Sequence, residues 1–220
     1  MARRIESHVI RGPAGDLEAL LEEPDGRAPV EACVVCHPHP LFGGTMHNKV
    51  VYRVARALRR SGSVVLRFNF RGVGRSQGSH DDGIGEIEDA RAALDWLRAG
   101  YPDLPLAIAG FSFGARVALR LGCAAHVTRI LALGLPTRRT VIEGLSECRV
   151  PKVFIQSTND EYGPRQELEA FLAGVAEPKR TEWVEAADLF FSDALDQLED
   201  RVLSLWSQLA KLPMDPPGCP

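Results

Sequence analysis

Short apolar runs alternate along the chain with longer segments whose apolar residues recur at helical spacing. The segment from Ile84 to Ala99 repeats apolar residues every three or four positions, as one face of an amphipathic helix does. The runs between such segments, VVLRFNF and LPLAIAG among them, have the length and the flanking turn residues that are typical of buried strands. This alternation predicts βαβ units and therefore a mostly parallel sheet flanked by helices.

The turn residues between the runs set the predicted element boundaries. Strands are predicted at Ser7–Gly12, Asp16–Glu22, Ala32–Cys36, Ser63–Asn69, Leu106–Gly110, Arg129–Gly134, Pro151–Ser157 and Lys179–Glu185. Helices are predicted at Val50–Arg60, Ile84–Ala99, Phe113–Ala124, Pro164–Leu172 and Leu189–Leu212, with Asp188 as the N-cap of the last one.

Length and composition fit one globular unit. The chain has 220 residues, of which 45% are hydrophobic, and no linker, repeat or low-complexity tract divides it. We expect a single α/β domain over residues 1–212 and a frayed tail over residues 213–220, where prolines prevent a helix from continuing. The connection from Pro136 to Val150 is too short for a separate lid domain, so a site at this edge of the sheet should be open.

Charge and hydropathy narrow the classes of partner. The net charge of -3 gives no basic excess of the kind that binds nucleic acid. No apolar run approaches the ~18 residues of a membrane helix, and the arginines of MARRIESHVIRG are not followed by the apolar core of a signal peptide. We expect a cytoplasmic protein that binds neither nucleic acid nor membranes. The sequence does not indicate its oligomeric state.

The five cysteines have irregular spacing, which predicts free thiols in a chain without a secretion signal. The segment CVVCH, from Cys33 to His37, has the spacing of a covalent haem site. It lies within a predicted strand, however, where residues three positions apart point to opposite faces. The same argument excludes a zinc site on this pair, and the sequence has no second pair at ligand spacing, so no metal is expected.

The stretch AIAGFSFGA, from Ala107 to Ala115, leads from a predicted strand through Gly-x-Ser-x-Gly into a predicted helix. This is the context of a nucleophile elbow, in which a sharp turn exposes a strained serine and only glycine fits beside it. Gly110 and Gly114 meet that requirement, so Ser112 is the candidate nucleophile. A plain strand-to-helix turn is the alternative, because so short a motif also arises by chance.

The stretch HPHPLFGGT follows the third predicted strand, and its prolines and glycines predict a loop. In this architecture the loop supplies one backbone N–H of an oxyanion hole, and the residue after the nucleophile supplies the other. Because Pro38 and Pro40 have no N–H, Leu41 and Phe113 are the candidate donors. The alternative is a surface loop whose histidines bind only backbone carbonyls.

The segment RGVGRSQG shares its glycines with dinucleotide-binding loops. Its spacing is one residue too long and no helix begins within it, so we interpret it as a structural loop beside the site.

Taken in order, HPHPLFGGTMHNKVV, RFNFRGVGRSQGSHDDGIGEIEDARAALDWL, GFSFGA and STNDEYGP resemble the α/β-hydrolase superfamily, and within it the small lidless branch related to dienelactone hydrolases. The resemblance covers nearly the whole chain. It implies an eight-stranded, mostly parallel sheet and an esterase-type site. Ser112 would be the nucleophile, Asp160 the acid after the seventh strand, and Leu41 with Phe113 the oxyanion hole. Such a site acts on a small-molecule ester or acyl ligand and requires no metal or organic cofactor.

Missing from this pattern is the histidine that would accept the proton of Ser112. In this fold the order along the chain is Ser, then Asp or Glu, then His, yet no histidine follows Asp160. The resemblance places the histidine in the loop after the last strand, where the chain reads WVEAADLFF, and assigns Leu189 to its position. Leucine neither accepts nor donates a proton.

Three interpretations of this gap follow from the sequence. His39, His47 or His80 could act as a substitute base, because all three lie in loops at the sheet edge where the elbow opens. The protein could instead be a weakened serine hydrolase of carboxyl esters, or a catalytically silent ligand-binding or regulatory protein on the same fold. Asp160 has a second interpretation too, since TNDEYGP is a good turn in which Asn159 or Asp160 could serve as a cap.

Overall fold

The computed structural model describes residues 5–138 and 141–209, which form an eight-stranded sheet with helices on both faces. The strands are β1 Ile5–Gly12, β2 Gly15–Glu22, β3 Glu31–Cys36, β4 Ser63–Phe68, β5 Leu106–Phe111, β6 Arg129–Leu133, β7 Lys152–Ser157 and β8 Lys179–Val184. The helices are α1 Lys49–Ser61, α2 Gly85–Gly100, α3 Phe113–Ala124, α4 Arg165–Ala173 and α5 Leu195–Leu209. The order across the sheet is β1-β2-β4-β3-β5-β6-β7-β8. Strand β2 is antiparallel to both of its neighbours, and the remaining pairs are parallel.

The central strands are buried on both faces, which explains their continuous apolar runs. On one face, Val34 and Leu66 pack with residues of α2, α3 and α4. On the other face, the neighbouring residues Val35 and Val65 pack with α1 and α5. None of the helices within the described residues is long and apolar enough to cross a membrane.

The strand order determines where a ligand site forms. After β3 the chain turns outward to β4, and it then crosses back over β3 to β5, so the connections leave β3 and β5 in opposite directions. In open α/β sheets the crevice at the carboxyl ends of two such strands is the usual ligand site. Here the loop after β3 is HPHPLFGGT and the turn after β5 contains Ser112. The topology therefore brings these two segments together.

All eight predicted strands and the first four predicted helices are confirmed to within about two residues at each end. The prediction for the last helix was wrong at its start: α5 begins at Leu195 rather than Leu189, and Asp188 is not its N-cap. Asp188 instead accepts hydrogen bonds from the backbone N–H of Ser192 at 3.2 Å and from its hydroxyl at 2.7 Å. Phe191 has a φ of 54°, which interrupts any helix at this point. Residues 210–220, including the predicted tail, lie outside the described residues.

The expectation of free thiols is wrong for one pair of cysteines. Cys123, at the end of α3, and Cys148, in the connection before β7, form a disulfide with their Cα atoms 5.4 Å apart. Cys33 and Cys36 are free and buried. They lie in the cores on opposite faces of the sheet, as expected for residues three apart in a strand.

Candidate active site

The turn between β5 and α3 places Ser112 at the N-terminus of α3. Its backbone has φ 55° and ψ -116°, a conformation that costs energy in any residue with a side chain. A Cβ added to Gly110 would overlap the carbonyl oxygen of Gly114, and a Cβ added to Gly114 would overlap the carbonyl oxygen of Cys36. The Ser112 hydroxyl makes no hydrogen bond to any residue that the structure describes. The backbone of this stretch therefore has the geometry of a nucleophile elbow.

Asp160 follows β7 and is 3% exposed. Its Oδ1 accepts hydrogen bonds from the backbone N–H groups of Tyr162 at 2.8 Å and Gly163 at 3.1 Å. Its Oδ2 accepts one from the side-chain amide of Gln156 at 2.6 Å. Burial raises the pKa of Asp160, and the two backbone donors offset part of that rise. Within the described residues, the carboxylate binds its own turn and β7, so its second interpretation as a turn cap agrees with the structure.

The loop after β8 carries Leu189 to the strand end between the serine and the aspartate. In the sheet, β6 lies between β5, which precedes Ser112, and β7, which precedes Asp160. Gly134 follows β6, and a Cβ placed on it would lie 2.6 Å from Cδ1 of Leu189. The leucine is 6% exposed. The buried side chain of Leu189 therefore packs at the end of β6, between the strands that lead to Ser112 and Asp160.

The two candidate oxyanion donors differ in whether their N–H groups already have an acceptor. Leu41 lies in the 3₁₀ turn Pro40–Phe42, and its N–H donates to Nδ1 of His39 at 3.2 Å. Phe113 is the first residue of α3, so the helix itself offers no acceptor for its N–H. The Phe113 N–H therefore has no acceptor within its helix, whereas the Leu41 N–H is bound to His39.

His39 stacks within a cluster of rings beside the elbow. Its ring centroid lies 5.0 Å from that of His80 and 5.0 Å from that of Phe113. Burial lowers the pKa of His39, and the neighbouring His80 lowers it further. Because Nδ1 accepts from the Leu41 N–H, the hydrogen-bond pattern assigns the proton of neutral His39 to Nε2. Its available lone pair is thus used within its own loop.

His80 lies beside a buried carboxylate. Its Nδ1 lies 2.8 Å from Oε1 of Glu86, and its Nε2 lies 3.5 Å from Oδ1 of Asp82. Glu86 is fully buried and also accepts the backbone N–H groups of Asp81 at 2.9 Å and Gly83 at 2.8 Å. Burial raises the pKa of Glu86, but the backbone donors and His80 outweigh it, and the net shift is downward. Glu86 therefore fixes this loop, and its carboxylate lies close to Nδ1 of His80 without forming a hydrogen bond to it.

None of the three histidines considered as a substitute base forms a hydrogen bond with the Ser112 hydroxyl. His39 and His80 lie near it, since both stack with the Phe113 ring. His47 is exposed, and its backbone N–H donates to Thr45. The structure therefore brings two of the three to the site without placing either on the serine.

Sequence reasoning missed two residues of this region, His37 and Glu86. Nε2 of His37 accepts the backbone N–H of Phe70 at 3.0 Å, and its Nδ1 lies 2.6 Å from the carbonyl oxygen of Pro38. Burial lowers the pKa of His37 to about 4, so the ring stays neutral and links the loops after β3 and β4. The signal for Glu86 was its place in the first turn of α2, where a carboxylate can reach back to backbone N–H groups.

The segment RGVGRSQG makes structural contacts, in agreement with the sequence interpretation. Arg71 donates to the buried carboxylate of Asp89 through its backbone N–H at 3.0 Å, Nε at 2.9 Å and Nη2 at 2.7 Å. This pair ties the loop after β4 to α2 and so supports the loop that carries His80.

The loops around Ser112 carry exposed apolar side chains. These loops follow the carboxyl ends of β3, β4, β6, β7 and β8. The exposed apolar residues on them are Leu41, Phe42, Ile84, Val141, Tyr162 and Phe190, with Phe42 84% exposed. We call this set the apolar rim. These side chains expose apolar surface to solvent around the carboxyl ends of the strands.

Comparison with known proteins agrees with this architecture. The family model for an alpha/beta hydrolase domain matches residues 34–203. An alpha-beta serine hydrolase homologue from Coxiella burnetii is 35% identical, with a TM-score of 0.87 over 91% of this chain and 96% of that chain. A serine hydrolase without a lid from Xanthomonas campestris is 34% identical, with a TM-score of 0.86 over 98% of this chain and 99% of that chain.

A curated relative, an uncharacterized protein from Rickettsia prowazekii, is 41% identical over 155 residues. The match covers 68% of this chain and 64% of the relative, so the chain spans slightly less than two thirds of that protein's length. The expected fold is confirmed by the sheet, by the family model and by the lidless structural neighbours. The chain belongs to the α/β-hydrolase family.

Proposed function

We propose that this protein is a serine hydrolase of carboxyl esters that acts through an acyl-Ser112 intermediate, at a rate reduced by Leu189. The observation that carries the proposal is the conformation of Ser112. Its backbone is held at φ 55° at the N-terminus of α3, and its hydroxyl has no hydrogen-bond partner among the described residues. A fold keeps such strain only where the surrounding packing enforces it, and strained residues of this kind cluster at active sites.

The chemistry follows from the groups around the serine. The Ser112 hydroxyl attacks the ester carbonyl, and the Phe113 N–H together with the positive end of α3 stabilises the oxyanion that forms. The Leu41 N–H adds to this hole once it leaves His39. Without an imidazole on the serine, turnover should be about six decades below that of a complete triad. The oxyanion hole and substrate binding alone still give about three to four decades over the reaction in water.

The apolar rim supports esters with small apolar acyl groups as substrates. The rim is open, so the acyl chain can lie along the surface instead of entering a deep cavity. Serine acylation and deacylation need no metal or organic cofactor.

A catalytically silent ligand-binding protein is the second candidate, and one observation favours it. Among the described residues, the Asp160 carboxylate accepts hydrogen bonds only from its own turn and from Gln156, and no histidine there forms a hydrogen bond with it or with the Ser112 hydroxyl. On this proposal the same pocket binds an acyl ligand without turning it over.

The first experiment is intact-mass detection of a fluorophosphonate adduct on the purified protein. Ser112→Ala removes the proposed nucleophile, and Ser207→Ala removes an exposed serine of α5 as the matched control. We expect one adduct that is lost in Ser112→Ala and kept in Ser207→Ala. No adduct after hours of incubation would reject the hydrolase and favour the ligand-binding protein. An adduct that persists in Ser112→Ala would refute the assignment of the nucleophile.

A further inference from the structure

Helix α3, which begins at the nucleophile, carries two arginines without acidic partners. The side chain of Arg116 makes no hydrogen bond or ion pair with any residue in the described ranges. Arg120 donates to the carbonyl oxygen of Val141 at 2.9 Å and to no carboxylate there. The other partly or fully buried arginines of residues 5–138 and 141–209 are paired, as Arg129 is with Glu31 at 2.6 Å. The lack of a counter-ion thus distinguishes these two positions.

This arrangement is unfavourable for the isolated protein. Arg116 and Arg120 are four residues apart, so they lie on one face of the helix and repel each other. Burial lowers the pKa of Arg116, and the charge of Arg120 lowers it further. A partly buried cation without a counter-ion costs stability, whereas a bound anion would remove that cost.

The two arginines line a small groove beside the elbow, with a free volume of only about 10 Å³. Its lining comprises Asp82, Gly83, Phe113, Arg116, Val117 and Arg120. The residue after the nucleophile thus forms one end of the groove. The only acidic residue among these six is Asp82, whose carboxylate is 98% exposed and lies 3.5 Å from Nε2 of His80. It forms no ion pair with either arginine.

The groove lies within reach of a substrate bound at Ser112. Four residues of α-helix span about 6 Å along the axis, and long helical side chains point back towards the N-terminus. The charge of Arg116 also lowers the pKa of His39, which places the guanidinium near the loop after β3. A ligand can therefore contact both the Ser112 hydroxyl and the Arg116 guanidinium.

We propose that Arg116, supported by Arg120, binds the carboxylate of an anionic ester whose carbonyl carbon lies at Ser112. The substrate class is the monoester of a dicarboxylic acid, in which an apolar chain separates the ester from the free carboxylate. The guanidinium holds this carboxylate through paired, charge-assisted hydrogen bonds, and the chain between the two ends lies on the surface of the protein. The identity of the reacting ester rests on the proposed function; the anion site itself does not.

The test measures binding without turnover. In the Ser112→Ala protein, monomethyl adipate and dimethyl adipate are titrated separately, and binding is followed by protein NMR chemical shifts. The two esters differ only in the free carboxylate. We expect the monoester to bind about tenfold or more tightly than the diester, as a charge-assisted contact should provide. Added salt should reduce this difference.

Arg116→Gln should remove the preference for the monoester, and Arg120→Gln should reduce it. Arg91→Gln is the matched control, because it removes the same charge from the exposed face of α2, where Arg91 pairs with Glu88. Equal binding of both esters, or a preference that survives Arg116→Gln, would overturn the proposal. Failure of fluorophosphonate labelling would instead reject the hydrolase and leave this anion site standing.

Thermal melting gives a second readout that does not depend on any ligand. Because Arg116 has no partner to lose, Arg116→Gln should melt at the same temperature as the parent protein or higher. A marked fall in melting temperature would show that the arginine has a structural role, and would also overturn the proposal.

Discussion

Replacing Leu189 with histidine should restore much of the missing activity. Leu189 packs against Gly134 at the end of β6, and β6 lies between the strands that precede Ser112 and Asp160. We expect an imidazole at this position to reach both residues. Loss of the histidine from a serine triad lowers kcat by about six decades, so the gain in kcat from Leu189→His can be no larger than that. The gain in kcat should be smaller here, because Oδ2 of Asp160 already accepts a hydrogen bond from Gln156 at 2.6 Å. We expect a gain of at least about two decades, or about 3 kcal/mol of transition-state stabilisation.

The same substitution should lower stability. Leu189 is 6% exposed, and exchanging a buried leucine for a polar ring should cost about 2 to 3 kcal/mol of unfolding free energy. Urea denaturation would measure this cost and show that the variant is folded under assay conditions. Without that control, a lack of activity could come either from an unfolded variant or from a histidine that does not act as a base.

The assay is the hydrolysis of p-nitrophenyl butyrate by the parent protein and by Leu189→His. Leu189→Asn is the matched control, because it introduces a polar side chain of similar size that cannot act as a base. Ser112→Ala and Asp160→Asn, each combined with Leu189→His, test whether the gain depends on the other two residues. The recovered rate should rise with pH as the new imidazole loses its proton, near the ordinary histidine pKa.

A folded Leu189→His protein with no gain would refute this reasoning. It would mean that Asp160 cannot leave its turn to orient the imidazole, or that the loop after β8 does not point position 189 at the serine. A gain equal in Leu189→Asn would show that polarity at this position matters and that proton transfer does not.

Three further predictions concern stability. The double variant Cys123→Ala/Cys148→Ala should lose about 3.5 kcal/mol of unfolding free energy on a chain-entropy basis, because the disulfide closes a loop with a sequence separation of 25 residues; urea denaturation with and without reductant measures it, and equal stability of the two proteins would contradict it. Burial lowers the pKa of Lys152 to about 8, so between about pH 8 and 10.5 the unfolded chain binds more protons than the folded one, and unfolding free energy should rise by about 2 to 3 kcal/mol with pH. Lys152→Met should lack this rise, and an identical pH profile in both proteins would be inconsistent with the assigned cause. Asp89→Asn should lower stability by about 3 kcal/mol, because it removes the carboxylate bound at 2.7 and 2.9 Å to the buried guanidinium of Arg71 and leaves it only Asp81 at 3.9 Å. Thermal melting against an exposed Asp95→Asn control tests this, and similar losses in both would count against it.

Much of the fold was predictable because the strands are buried on both faces. Runs such as LAIAG have no polar positions and end in glycine or proline, so their boundaries are visible in the sequence. The start of α5 was not predictable in this way. The letters ADLFFSD continue an apolar pattern, but Asp188 binds Ser192 and Phe191 adopts a positive φ. Such local side-chain contacts compete with helix formation and do not alter hydrophobic periodicity.

The candidate site was predictable where backbone geometry required particular residues, and less so where side chains meet in space. Gly110 and Gly114 indicated the turn at Ser112, and the structure has that turn. By contrast, the bond between the Leu41 N–H and His39 depends on the rotamer of one histidine. Whether the Arg116 side chain has an acidic partner depends on how the fold arranges distant parts of the chain. Sequence spacing contains neither kind of information.

The two glycines of the Gly-x-Ser-x-Gly motif serve the packing of the elbow. Gly110 and Gly114 are required because carbonyl oxygens occupy the space of their missing Cβ atoms, and this requirement holds whether or not the serine reacts. Position 189, by contrast, tolerates a leucine that packs well against its neighbours. A chain of this fold could therefore lose its base by a single substitution while the fold still requires both glycines of Gly-x-Ser-x-Gly. The motif therefore indicates the geometry of the turn, whereas the residue at position 189 bears on whether the site has a catalytic base.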